Sequence, residues 1–227
     1  MIVKAYDFET TGVNARECEP VSVAIVDVKI SDDGSYEVLN EEHEILEIEA
    51  DEVPAGAFGV HGICKSKTIE FGRDPHAICE NITGTVLGYN NNSYDNVIAA
   101  RYGAEIEQSI DLIAATRRLK KEGVLEKATL TCAYETLVGE SAKNAHDALA
   151  DVHLTLALIK PIMAHYQFES FQELVDFLNT GKGDENMKMP FGKHKGKQLK
   201  NLPKDYVVWC KENLQMTPDL KAGFACL

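Results

Sequence analysis

Asp7 and Glu9 stand two residues apart in the first apolar stretch of the chain, which begins at Ile2. Side chains alternate along a strand, so both carboxylates leave one face of it. Two like charges side by side on a core strand are costly unless a cation neutralises them or the strand end emerges into solvent. Thr10-Thr11-Gly12 then closes the strand in a turn. Such a turn is expected to leave backbone N–H groups free beside the carboxylates, which makes Thr10 and Thr11 candidate contacts for a nucleotide.

Two further segments put acids at the ends of elements. Asp95 closes Gly88-Tyr-Asn-Asn-Asn-Ser-Tyr-Asp95, where a short apolar strand, Thr85 to Tyr89, gives way to a helical pattern over Ser93 to Tyr102. His146 and Asp151 are five residues apart. On one ideal helix they would point about 140° apart and miss a common site. His146 is therefore expected on the loop before the helix, with Asp147 at the N-cap and Asp151 in the first turn. Taken singly, each segment has an ordinary explanation as a strand end, a helix-start acid or a surface histidine. Taken together, the oxygen donors Asp7, Glu9, Asp95 and Asp151, with no cysteine among them, suit two hard divalent ions, Mg2+ or Mn2+. Such ions activate water and stabilise a leaving oxygen, and His146 is suited to take a proton; that chemistry fits phosphodiester hydrolysis.

The surrounding pattern is α/β. Ile2 to Phe8, Val21 to Ile30 and Tyr36 to Ile48 read as three strands, with Asp32-Asp33-Gly34 turning between the second and third. Helices are expected where Leu112, Ala115 and Leu119 share a face, over Leu130 to Val138, along Leu149, Val152, Leu156 and Ile159, and after the capping box of Ser170 and Glu173. A meander followed by alternating helix and strand implies a mixed sheet with helices on its faces. Arg117-Arg118-Leu-Lys120-Lys121 reads as a solvated helix face.

The formal charge of −13 argues against a protein that coats nucleic acid or anionic membrane with its whole surface. The charge is unevenly divided: residues 187–227 carry eight lysines and three acids, which leaves −18 on the rest. Polar, glycine-bearing Thr180 to Asn186 separates the two, so the expected organisation is a body over 1–179, a linker over 180–188 and a small basic module over 189–227. The six cysteines lack C-x-x-C spacing, which points to reduced thiols and a cytoplasmic protein. No apolar run reaches membrane-spanning length and charges enter by Lys4, so neither a membrane span nor a signal peptide is expected.

The three acidic segments resemble the motifs of the DEDDh 3′→5′ exonucleases of the DnaQ-like superfamily. Asp7-Phe-Glu9-Thr-Thr-Gly12 matches the first motif, Gly88 to Asp95 the second, and His146-Asp-Ala-Leu-Ala-Asp151 the third. The resemblance spans roughly residues 1 to 165. It implies a ribonuclease-H-like sheet, metal ligands at Asp7, Glu9, Asp95 and Asp151, and His146 as general base. Asn90-Asn91 stands where many members have His-Asn, and the Gly-Tyr-Asn form, like the stretch His146 to Thr155, is more like exonuclease I. Asn91 is the expected nucleic-acid contact of the second motif, and His61-Gly-Ile63 resembles a further segment of the family.

Met189-Pro-Phe-Gly-Lys-His-Lys-Gly-Lys197, followed by Leu202-Pro-Lys-Asp-Tyr-Val-Val-Trp209, resembles the C-terminal segment of exodeoxyribonuclease X. Tyr206, Val207, Cys210 and Leu214 mark the buried face of a short helix. Lys193, Lys195 and Lys197 alternate, and on a strand they would line one face as a row spaced for backbone phosphates. A structural appendage or a protein-docking module is the alternative. The expected activity is a metal-dependent 3′→5′ exonuclease that releases nucleoside 5′-monophosphates from single-stranded 3′ ends of DNA. Its rivals are an exoribonuclease of the RNase T or oligoribonuclease kind, and a noncatalytic module that binds nucleic acid or a polymerase.

Overall fold

The apolar alternation at the start of the chain forms an antiparallel meander of β1 (Ile2–Thr10), β2 (Pro20–Ile30) and β3 (Tyr36–Ile45). The computed structural model describes residues 1–143, 145–179, 187–214, 216, 220 and 223–224. The expected linker lies outside the described residues from 180 to 186. After the meander come α1 (Ala55–His61), α2 (Lys65–Phe71), α3 (Pro75–Cys79), β4 (Thr83–Gly88), α4 (Asp95–Arg101) and β5 (Glu105–Asp111). The helical remainder comprises α5 (Ile113–Lys121), α6 (Leu130–Leu137), α7 (Ala148–Ala157), α8 (Ile159–Tyr166), α9 (Phe171–Asn179) and α10 (Lys204–Asn213). The chain divides into two compact units, Met1–Phe171 and Gln172–Leu227.

The first unit is the mixed sheet with helices on its faces that the pattern implies, in the order β3-β2-β1-β4-β5, with β4 parallel to both β1 and β5. β2 lies between two partners and is buried almost throughout, which is why its sequence is a nearly continuous apolar run. β3 is an exposed edge, and Glu37, Glu41, Glu42 and Glu44 along it oppose pairing with another chain. Tyr6 and Phe8 enter an apolar cluster with Val23, Ile78, Val86 and Ile98, so α3 and α4 cover the face to which the even-numbered residues of β1 point. α7 packs against β1 and β2.

Several elements depart from the sequence expectation. α1, α2, α3 and β5 were not read from the sequence; α1 buries no residue and α2 only Thr68, so neither carries an apolar face to recognise. The single helix expected along Leu149 to Ile159 is two, divided at Leu158. Arg118 is 6% exposed rather than solvated, because it lies on the same side of α5 as buried Ala115 and Leu119; Arg117, Lys120 and Lys121 are exposed. Among the described residues, no helix is long and apolar enough to cross a membrane. Cys18, Cys64, Cys79, Cys132 and Cys210 are free thiols.

The second unit has a core of its own, in which Met189, Leu199, Leu202, Cys210, Leu220 and Phe224 are buried together. Tyr206, Val207 and Leu214 pack against that core as the helical spacing implies. Lys193, Lys195 and Lys197 are exposed but do not form a strand. The Lys195 N–H bonds the Gly192 carbonyl at 3.1 Å and the Lys197 N–H bonds the His194 carbonyl at 3.1 Å, which makes the segment a succession of turns. Gly192 at φ 71° and Gly196 at φ 83° permit this winding, so simple alternation does not place the three ammonium groups on one face.

Candidate active site

The chain leaves β1 toward β2 and leaves β4 toward β5, so the C-terminal ends of these two parallel neighbours form a switch point of the sheet. Such a switch point is where open α/β sheets bind ligands. The β1–β4 ladder runs through Lys4↔Val86 and Ala5↔Leu87, short of Asp7. With Tyr6 and Phe8 turned into the core, Asp7 and Glu9 take the opposite face. Asp147 accepts the Ala150 N–H at 3.0 Å and caps α7, which sets Asp151 in the first turn of that helix as expected. One carboxylate oxygen from each of Asp7, Glu9 and Asp151 lies within 4.8 Å of the others.

Asp95 stands outside this group of three. It is 3% exposed, and its Oδ1 accepts the Phe8 N–H at 3.2 Å, where β4 no longer supplies a ladder partner. Its charge is nevertheless felt at Asp7 and Glu9. Burial, then Asp95, Asp151 and Glu9, push the Asp7 carboxyl well above the usual range. Burial, then Asp151, raise Glu9 to about 8. Burial raises Asp95 to about 7 against the lowering effect of the Phe8 N–H, and burial raises Asp151 against the lowering effects of the His146 N–H and side chain.

Among the described residues none of these four carboxylates forms an ion pair. Asp151 Oδ1 is buried with no hydrogen-bond partner. Crowded acids, an orphaned buried oxygen and an all-oxygen donor set fit a hard divalent cation, which would relieve both the repulsion and the unmet acceptor. His146 is exposed and left-handed at φ 73°, and its N–H donates to Asp151 Oδ2 at 3.3 Å. It lies on the loop before α7, beside the carboxylate cluster.

The remaining expected contacts are placed differently. Thr10 Oγ1 and the Tyr94 hydroxyl are 2.6 Å apart and both reach the Gly12 carbonyl. The Thr11 N–H, expected to be free, donates to the Glu19 carbonyl at 2.9 Å, and Thr11 Oγ1 accepts the Glu19 N–H at 2.9 Å. Both polar groups of Thr11 are therefore taken up by Glu19. Asn91 is wholly buried, with its Nδ2 on Ser109 Oγ at 3.1 Å, so it supports the turn after β4 from beneath. A Cβ at Gly88 would stand 2.9 Å from Asn91 Cβ, so the turn depends on glycine there. In the His61-Gly-Ile63 segment, His61 Nδ1 accepts the Ile63 N–H at 3.1 Å, which leaves Nε2 to donate to the Thr10 carbonyl at 3.2 Å and ties α1 to the end of β1.

Asp111 is a supporting residue that the sequence reading missed. Its buried carboxylate accepts N–H groups from Asn90 at 2.7 Å, Asn92 at 3.1 Å and Ile113 at 3.1 Å, and so holds the turn that delivers Asp95. An acid two residues before the N–H of Ile113, at the end of a strand, was the available signal; the unrecognised β5 concealed it.

Similar solved structures include the zinc-ion-bound form of the E. coli ExoI–ssDNA complex, with a TM-score of 0.64 and 18% identity over 79% of this chain and 43% of that one. E. coli exonuclease I with a dT13 oligonucleotide gives 0.63 and 20% over 79% and 43%, and the ExoI/SSB-Ct complex gives 0.60 and 20% over 78% and 43%. The chain thus spans about 43% of the length of those structures, and the likeness establishes the fold, a ribonuclease-H-like mixed sheet flanked by helices. Residues 185–221 match the family described as "Putative quorum-sensing-regulated virulence factor". No curated protein sequence matches the chain significantly.

Proposed function

We propose that the chain is a metal-dependent 3′→5′ exonuclease of the DEDDh kind, which hydrolyses DNA from single-stranded 3′ ends to nucleoside 5′-monophosphates. The observation that carries this reading is the cluster of Asp7, Glu9 and Asp151, with the partnerless Asp151 Oδ1, at the switch point of the sheet. These three residues would hold the metal, with Asp95 completing the set from α4. Two Mg2+ or Mn2+ ions, when bound, supply Lewis-acid activation of water and stabilise charge at the scissile phosphate.

His146 is the general base of this reading: it takes a proton from the attacking water through its imidazole, and its loop position leaves the ring able to turn toward the bond. Asp111 and the Phe8 N–H hold Asp95 in place while the cluster changes charge. Lys193, Lys195 and Lys197 hold backbone phosphates, which the acidic body does not attract. The resemblance of residues 189–209 to the C-terminal segment of exodeoxyribonuclease X supports an enzyme of that type, at work in the cytoplasm.

The test compares mononucleotide release from 3′-labelled and 5′-labelled DNA and RNA, in Mg2+ and in EDTA, for wild type and Asp151→Asn. Early release of a 3′ label from DNA, abolished by EDTA and by the substitution, is expected. Preference for RNA would move the reading to the exoribonucleases, and full turnover by Asp151→Asn would overturn the site.

A further inference from the structure

Ser22 interrupts the apolar run of β2 and is wholly buried, yet its Oγ has no hydrogen-bond partner. A buried hydroxyl without a partner is costly. Packing does not demand it, since Ala24 fills the next position on the same face of the strand. The ladder between β1 and β2 is regular from Ile2↔Lys29 to Glu9↔Ser22, and its irregularity comes only after Glu9. Ser22 therefore stands directly opposite Glu9, and residues so paired leave the same face of the sheet with Cβ atoms about 5 Å apart. On its other side Ser22 is opposite Ile45 of β3, which has no side-chain acceptor.

Glu9 has the complementary deficit. Asp95 accepts the Phe8 N–H and Asp151 the His146 N–H, but among the described residues no donor reaches the Glu9 carboxylate. A donor without an acceptor thus faces a carboxylate without a donor across one pair of strands. We propose that Ser22 is a positioning residue of the cation site: its O–H donates to one carboxylate oxygen of Glu9 and turns the other toward a cation held with Asp7 and Asp151.

Both side chains rotate about single bonds, so the bond forms as the cation draws the carboxylate into place. A carboxylate held by such a partner binds metal more tightly, because its orientation is set by the protein. The serine itself does not touch the cation. The inference rests on the metal site of the nuclease reading, and the experiment separates the two.

Mn2+ is titrated by calorimetry into the full chain, wild type and Ser22→Ala, and the melting temperature of each is measured in EDTA. Ser22→Ala is expected to bind Mn2+ about tenfold more weakly than wild type. In EDTA it should melt no lower, because alanine removes an unpaired buried hydroxyl and almost no volume. A serine that only supports the fold would not give weaker metal binding in a chain of undiminished stability. Against Glu9→Gln, which keeps Asp7, Asp95 and Asp151, the rise in melting temperature at high Mn2+ registers weak binding. Adding Ser22→Ala there should cost less than about twofold in affinity, since the serine acts through the carboxylate. Unchanged Mn2+ affinity of Ser22→Ala, a lower melting temperature in EDTA, or a full tenfold loss in the Glu9→Gln background would each overturn the proposal while leaving the metal site standing. Absence of Mn2+ binding by wild type would overturn the metal site, and the role of Ser22 with it.

Discussion

Glu9→Gln should make the metal-free protein more stable at pH 8.5 and leave its stability at pH 5 almost unchanged. Glu9 is raised from 4.5 to about 8 by burial and by Asp151, Asp147 and Asp95. A carboxyl raised in the folded state holds its proton more tightly there than in the unfolded chain. Its contribution to stability is therefore complete below about pH 4.5 and is lost as pH rises toward 8. At about 1.4 kcal/mol per tenfold change in acidity, the upper bound on that loss is about 5 kcal/mol. Glu9 is partly open to water, and screening brings the figure to about 2 kcal/mol. Glutamine keeps the shape and removes the charge, so the melting temperature of the variant in EDTA at pH 8.5 should exceed that of wild type by roughly 4 to 8 °C. Calorimetry in EDTA at pH 5 and 8.5 measures the difference, and added Mn2+ should raise the wild-type transition more than that of the variant. A variant no more stable than wild type at pH 8.5 in EDTA would show that the carboxylate cluster is not repulsive, and would remove the physical case for a cation between these residues.

His146→Ala should lower kcat by about 10² to 10⁴ while calorimetric Mn2+ affinity persists, because a base acts in the transition state and the carboxylates hold the metal; a loss of Mn2+ binding would make the histidine structural. Asp111→Ala should destabilise the fold by about 2 to 4 kcal/mol in urea titration, since it strands the N–H groups of Asn90, Asn92 and Ile113 in a half-buried turn, and should lower turnover through displaced Asp95. Gln at Lys193, Lys195 and Lys197 should reduce the salt dependence of single-stranded DNA binding by up to about 2 in log–log slope; an unchanged slope would show that these exposed lysines do not hold phosphate.

What the sequence determined by itself is the part governed by local rules. Strand alternation put Asp7 and Glu9 on one side of β1, and the arithmetic of an ideal helix required His146 to precede α7, with Asp147 as its cap and Asp151 in its first turn. The buried run of β2, the helical stripes of α5 and α10 and the division of charge between body and C-terminal module were legible for the same reason: each depends on near neighbours along the chain. The tertiary structure decided everything that depends on residues far apart. It gathered Asp7, Glu9 and Asp151 within 4.8 Å across more than a hundred residues, and turned Asp95 toward the Phe8 N–H because β4 stops pairing before that point. It buried Asn91 beneath Gly88 and enlisted Asp111 to hold the turn above it, in a strand too short and polar to announce itself. It also wound the lysine segment into turns, since the alternation of its charges says nothing of the backbone conformation that Gly192 and Gly196 permit.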